Sequence, residues 1–125
     1  MVERLLAGVA AGASADLADL YAEDAIVELP FGGPAGLRLE GRDEIREHFR
    51  RAGASPLRLR PARVRLHETR DAAVIVAEYD YEGEMTTTGA RFVVANVQII
   101  TVRDGLIVAS RDFHDHTAIA AAAVP

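Results

Sequence analysis

Residues 97–115 read VQIITVRDGLIVASRDFHD, two apolar, β-branched runs on either side of Asp104-Gly105. That dipeptide fits a two-residue type I′ turn, whose central positions need positive φ angles that Asp and Gly tolerate. A tight hairpin is predicted, with Arg103 opposite Leu106. Carried along the ladder, this register sets Ile99 against Ser110, Val97 against Asp112 and Ala95 against His114. Cross-strand partners share a face, so Val93, Ala95, Val97 and Ile99 are predicted to form an apolar inner wall facing Val108, Ser110, Asp112 and His114. Asn96, Gln98, Arg111 and Asp115 fall on the opposite face.

Upstream, Leu57–Glu68 and Ala72–Glu82 also read as strands, separated by the turn formers Thr69-Arg70-Asp71. In the second of these, Ala77, Tyr79 and Tyr81 continue an apolar set while Glu78, Asp80 and Glu82 alternate with them, so the odd numbers face inward. Counting on, Arg91 is inward-facing at the start of the next strand, Ala90–Arg103, and is expected at a pocket rim or in an ion pair.

The first half is mixed. Val2–Ala11 has helical spacing. After Gly12, Ser14-Ala15-Asp16 offers capping groups for a second short helix through Asp19, Leu20 and Tyr21. Ala25–Leu29 reads as a short strand broken by Pro30. The loop Phe31-Gly32-Gly33-Pro34-Ala35-Gly36 follows, free to lie over one end of a pocket. Arg42–Arg51 returns to helical spacing, with Ile45 and Phe49 four apart and Gly53 as its stop. Ala118–Val124 reads as a frayed helix or a tail.

The whole is 125 residues, half of them hydrophobic, which suits one α+β domain spanning residues 1–125. With no cysteine, thiol nucleophiles, disulfides and zinc–thiolate sites are excluded. The net charge of −5 argues against a nucleic-acid surface. Arg58, Arg60, Arg63 and Arg65 read as a solvated strand face opposite acidic neighbours. No run reaches the roughly 20 apolar residues of a membrane span, and MVERLL lacks the basic start of a signal peptide. A cytoplasmic protein without nucleic-acid or membrane partners is expected.

Asp112 carries the chemistry. A carboxylate against an apolar wall must pair or hold a raised pKa, and His114, two residues along on the same face, is the nearest candidate partner. The two read either as a general acid/base pair or as a buried polar pair tying the last strand to a helix end or to the loop after Pro30. Tyr79 and Tyr81 either present hydroxyls to a ligand carbonyl or are aromatic core. Asp112, His114 and His116 share a parity that could suit a divalent metal, but the strand is expected to end near Asp115, and no metal is assigned. His48 and His67 read as surface residues.

The element order, with Leu20-Tyr21-Ala22-Glu23-Asp24-Ala25 before the first strand, Leu39-Glu40-Gly41-Arg42 before the third helix and Arg111-Asp112-Phe113-His114-Asp115 in the last strand, resembles the SnoaL-like group of the nuclear-transport-factor-2-like superfamily. The resemblance implies a cone-shaped α+β barrel: a curved, mostly antiparallel sheet wrapped over three helices, with an internal pocket. It also implies a homodimer formed through the outer sheet face, here the strip Asn96, Gln98, Arg111 and Phe113.

For activity, the resemblance implies a small-molecule cyclase, isomerase or hydrolase acting by general acid/base catalysis on a hydrophobic, carbonyl-bearing compound of polyketide or terpenoid type. No cofactor is expected. Asp112 matches the reactive aspartate and His114 would tune it, while Tyr79, Tyr81, Val97, Ser110, Phe31, Leu29 and Arg91 would meet the ligand. The Arg-x-Asp pair of the limonene epoxide hydrolases is replaced by Ala77, Tyr79 and Tyr81. The positions of the ketosteroid isomerase machinery hold Leu5, Leu29 and Val97, so both of those mechanisms are disfavoured. The alternative is a non-catalytic, dimerising module that holds a hydrophobic ligand in the same pocket.

Overall fold

A computed structural model describes residues 1–12, 15–32 and 35–123. Ser14 of the expected cap, Gly33 and Pro34 of the glycine-rich loop, and Val124 lie outside the described residues.

The helix α1 (Val2–Ala10) forms because Val2, Leu5, Leu6 and Val9 fall on one face, and the first three are buried. The expected second helix is a 3-10 helix, Ala15–Leu20, that buries Leu17, Ala18 and Leu20. Strand β1 (Tyr21–Leu29) starts four residues earlier than expected, so Tyr21 belongs to the sheet. A short strand, β2 (Leu37–Glu40), was not foreseen; it pairs antiparallel with β1, Leu29 against Leu37. Helix α2 (Arg42–Ala54) runs past the expected stop at Gly53 and ends at Ser55, whose extended backbone precedes Pro56.

Four long strands follow: β3 (Leu57–Glu68), β4 (Val74–Met85), β5 (Arg91–Arg103) and β6 (Leu106–His114). Helix α3 (His116–Ala123) closes the described chain. The sheet order is β2-β1-β6-β5-β4-β3, antiparallel throughout except for the parallel β1–β6 pair. The fold is therefore α+β with a curved, mixed sheet that stays open, β2 and β3 being its edges. The core lies between the inner face of the sheet, α1, the 3-10 helix and α2. Helix α3 packs on β5 and β4, where Thr88 Oγ1 donates to the Ala122 carbonyl at 3.1 Å.

Beyond Arg58, the arginine row of β3 is a solvated outer face. Arg60 meets Glu82 at 2.5 Å and Arg63 meets Asp80 at 2.6 Å, both across the β3–β4 ladder. A bulge between Ala62 and Arg65 puts Arg63 at φ 55°.

The hairpin at Asp104-Gly105 forms as read from the sequence. Arg103 pairs with Leu106, and the two turn residues have φ of 53° and 77°. The register beyond it does not. After Val102 pairs with Ile107, Thr101 pairs with Ala109, so Val108 is an extra residue in β6. A bulge of this kind advances one strand by one residue and flips the face of everything beyond it. Asp112 therefore lies opposite Gln98, and His114 opposite Asn96.

On β5 the inner set is Val94, Asn96, Gln98 and Ile100, all buried, while Val93 is 55% and Val97 36% exposed. The predicted wall of Val93, Ala95, Val97 and Ile99 is the outer face. Val97 and Arg91 thus turn away from the interior, whereas Asn96 and Gln98 belong inside. The parity on β4 is as expected, with Ala77, Tyr79 and Tyr81 buried.

Candidate functional site

The inner face of the sheet and the helices enclose a cavity of about 390 Å³. Its walls are mostly apolar: Leu5 and Val9 of α1, Val27 and Leu29 of β1, Leu39 of β2, Ile45 and Phe49 of α2. Its buried polar groups come from the sheet, namely Tyr21, Tyr79, Tyr81, Gln98 and Asp112, and half-buried His114 of the sheet and His48 of α2 join them.

Asp112 is only 8% exposed. The Ser110 hydroxyl donates a short hydrogen bond to its Oδ1, and Gln98 lies directly across the ladder, where its amide also favours the carboxylate form. The Gln98 amide is oriented from the far side, since Tyr79 Oη donates to its Oε1 at 2.9 Å. The amide carbonyl is thus used by Tyr79, which leaves the amide N–H₂ for Asp112. Tyr79 thereby fixes the Gln98 amide with its N–H₂ left for the Asp112 side, while Ser110 donates directly to the carboxyl.

Burial raises the pKa of Asp112, and the two donors oppose that rise without cancelling it. Burial also holds the phenols neutral: that of Tyr81 is pushed up to about 12, and those of Tyr21 and Tyr79 are raised further. A carboxylic acid ringed by neutral hydroxyl and amide groups can hand a proton to a ligand oxygen. Once ionised, it keeps two donors that stabilise the carboxylate.

His114 does not partner Asp112. Its Nδ1 lies 2.6 Å from Asn96 Oδ1, and its ring lies 5.7 Å from that of His116. Burial, with the neighbouring His116 and His48, lowers its pKa to about 4. At neutral pH it is an uncharged imidazole at the edge of the cavity.

Among the other expected ligand contacts, Tyr79, Tyr81 and Leu29 line the cavity. Ser110 is buried behind Asp112 and acts through it. Phe31 does not close the cavity: it is 62% exposed and packs edge-on against Phe113 at 5.5 Å, on the outer side. Val97 is likewise on the outer side, in a recess it shares with Phe31 and Phe113. Arg91 is exposed at the start of β5, opposite Glu84.

His48 is half-buried on the cavity wall instead of at the surface, and burial lowers its pKa. His67 is exposed and paired with Glu78 at 2.5 Å, as its strand-end position implied. Gln98 and Tyr21 were the functional positions missed. The signal for Gln98 was the β4–β5 register, which puts inward Ala77 opposite it.

A curved open sheet closed by helices over an internal cavity matches the nuclear-transport-factor-2-like fold class, as in an NTF2-like protein of Burkholderia xenovorans that superposes with a TM-score of 0.73 at 18% identity, over 98% of this chain and 92% of the other. Within that class the chain belongs to the SnoaL-like family, since the SnoaL-like domain matches residues 2–110. An uncharacterised PhzA/B-like protein of Pseudomonas aeruginosa is 30% identical over 96 residues, which cover 76% of this chain and 67% of that protein. A candidate isomerase of Bacillus subtilis superposes with a TM-score of 0.86 at 22% identity, over 97% of this chain and 88% of the other. A candidate polyketide cyclase of Xanthomonas campestris gives 0.80 at 22% identity, over 97% and 92%. At such identities the structural likeness speaks to the fold alone.

Proposed function

We propose that the protein is a small-molecule enzyme of the cyclase or isomerase kind, using Asp112 as general acid/base on a hydrophobic, carbonyl-bearing compound. The observation that supports this is the placement of an acid with a raised pKa at the inner end of an apolar cavity, oriented by Gln98 and Ser110. In the acid form Asp112 gives its proton to the carbonyl oxygen, which makes the adjacent C–H acidic. The carboxylate that remains can take a proton from the adjacent carbon. In this reading the hydroxyl of Tyr81, which lines the same cavity, hydrogen-bonds the carbonyl oxygen. His114, uncharged and bonded to Asn96, shapes the edge of the site and leaves the orientation of Asp112 to Gln98 and Ser110.

The test is Asp112→Asn with a carbonyl substrate found by metabolite screening. An enzyme loses about 100-fold or more in kcat, the usual scale of a general acid/base, while ligand affinity stays within a few-fold. A carrier with the same cavity shows unchanged affinity and no turnover in either form.

Outside the cavity, the outer sheet face carries exposed Val93, and Val97 beside Phe31 and Phe113. We propose that a second copy of the chain covers this strip, forming a homodimer.

A further inference from the structure

The cavity has a different chemistry at each end. At the inner end lie Asp112, Gln98 and the tyrosines, all buried. The lining residues that are exposed are Ala10, Gly12, Arg51, Ala52 and Arg58, so the mouth opens between the C-terminal ends of α1 and α2 and the first residues of β3. Two guanidinium groups stand at this mouth. Asp112 is the one carboxylate among the described lining residues, and it lies at the far end.

Neither guanidinium is neutralised in place. Arg51 Nε approaches Glu47 Oε1 at 3.3 Å, but Glu47 is already held by Arg50 through both oxygens, at 2.8 and 2.5 Å. Two arginines share one carboxylate, leaving a net positive charge. Arg58 directs its hydrogen bonds to the backbone carbonyls of Ser55 and Leu57, at 3.4 and 2.9 Å. No carboxylate among the described residues lies within ion-pair distance of it. Further along the same strand, Arg60 and Arg63 are each tied to an acid of β4. His48 also lines the cavity, and the charge of Arg51 adds to the effect of burial in lowering its pKa. Arginines thus outnumber the acids paired with them at the mouth, Glu84 being the ladder partner of Arg58 without an ion pair to it, whereas the chain as a whole is acidic.

We propose that the ligand of this cavity is an amphipathic anion. Its apolar body fills the cavity, its carbonyl or hydroxyl end reaches Asp112, and a single carboxylate-type head group is held at the mouth by Arg51 and Arg58. The inference rests on reading the cavity as a ligand site and adds the polarity of that ligand. It also gives the direction of entry, head group outward, because an anion placed beside Asp112 would meet only neutral groups and an acid that resists ionisation. The gain is modest in size, since both arginines are exposed and pay little desolvation for the contact.

The experiment is a calorimetric titration with two probes that differ only in charge, 6-phenylhexanoate and 6-phenylhexanamide, on wild type and on Arg51→Gln/Arg58→Gln. Methyl shifts of Val27, Leu29 and Leu39 report whether the body enters the cavity. The carboxylate should bind wild type about 10-fold tighter than the amide, the scale of one or two charge-assisted contacts. In the double variant that preference should fall to within about twofold with amide affinity unchanged, and in wild type it should shrink at high salt. Equal affinities in wild type, or a preference that survives in the double variant, would overturn the proposal while leaving the cavity as a binding site. Carboxylate binding without the methyl shifts would overturn it as surface binding. If neither probe binds, the proposal and the ligand-site reading fail together.

Discussion

Gln98 stands directly across the ladder from Asp112 and links it to Tyr79, whose hydroxyl donates to the Gln98 carbonyl oxygen at 2.9 Å. This link makes two buried groups, the Tyr79 phenol and the Asp112 carboxyl, depend on one side chain. It also gives the amide a single sensible orientation, because the carboxyl needs donors and the phenol needs an acceptor. Asp112 is thereby held by its own strand, through Ser110, and by the neighbouring strand at once.

Replacing Gln98 with Leu, which is similar in size, should strand the Tyr79 hydroxyl and remove one donor from Asp112. Each buried group left unpaired costs about 1–3 kcal/mol, so a loss of roughly 2–4 kcal/mol in urea unfolding is expected. A change below about 0.5 kcal/mol would show that the chain of bonds is not formed in solution.

Asp112 binds its proton more tightly in the folded chain than in the unfolded one, because burial penalises the carboxylate. Its contribution to stability is therefore fully present below the unfolded value near 4 and is lost as pH rises through the folded pKa. Asp112→Asn cannot ionise and escapes that loss. The variant should be more stable than wild type at pH 8, with the gap closing as pH falls toward about 4. Thermal melts from pH 4 to 8 would show it; a constant difference across that range contradicts it.

His114 has the opposite sign. Its folded pKa, lowered to about 4, lies below the usual value of 6.5, so the folded chain resists protonation that the unfolded chain accepts. Stability from this group is present above about 6.5 and is lost as pH falls toward about 4, by up to roughly 3 kcal/mol at about 1.4 kcal/mol per pH unit. His114→Gln should flatten the acid limb of the stability profile relative to wild type. NMR titration of the ring with a midpoint near 6.5 would refute the assignment.

Val97→Lys, with Val93→Lys as a second variant, places a charge on the outer strip without touching the cavity. Wild type should sediment as a dimer at tens of micromolar and the lysine variants as monomers with unchanged circular dichroism. A wild-type monomer at that concentration removes the dimer proposal.

Gly105 sits at φ 77° in the hairpin, a region that costs an L-residue about 1–2 kcal/mol. Gly105→Ala should lower stability by about 1 kcal/mol. Because this turn anchors the strand that carries Asp112, the loss should appear in global unfolding as well as in local amide exchange; no change in denaturant midpoint would count against the turn.

Much of the fold was legible because its signals are local. The Asp104-Gly105 turn, the alternation of Ala77, Tyr79 and Tyr81, and the spacing of Val2, Leu5 and Leu6 each follow from the geometry of a few neighbouring residues. The strand β2 was hidden because Leu37–Glu40 is too short to show a period. Tyr21 was hidden because it directly follows a 3-10 helix whose spacing it continues. The face of β5 was misread for a physical reason. The rule that apolar residues face inward fails where the inside is a cavity with a polar floor and the outside is an apolar strip, as with Asn96 and Gln98 against Val93 and Val97.

The sequence by itself determined the tight hairpin and the inward face of β4, since these depend on backbone sterics and on side-chain alternation within single elements. The inward face of Asp112 was read through a register and a β5 wall, both of which the structure reverses, so the two errors cancelled. Tertiary structure alone decided which residues meet that acid. One unpaired residue, Val108, moves the register by a single step, and the pleat turns that step into an exchange of faces, replacing Val97 with Gln98 as the neighbour of Asp112. The bulge lies in β6, which pairs with β1 on one side and β5 on the other, so its place shows only in the assembled sheet.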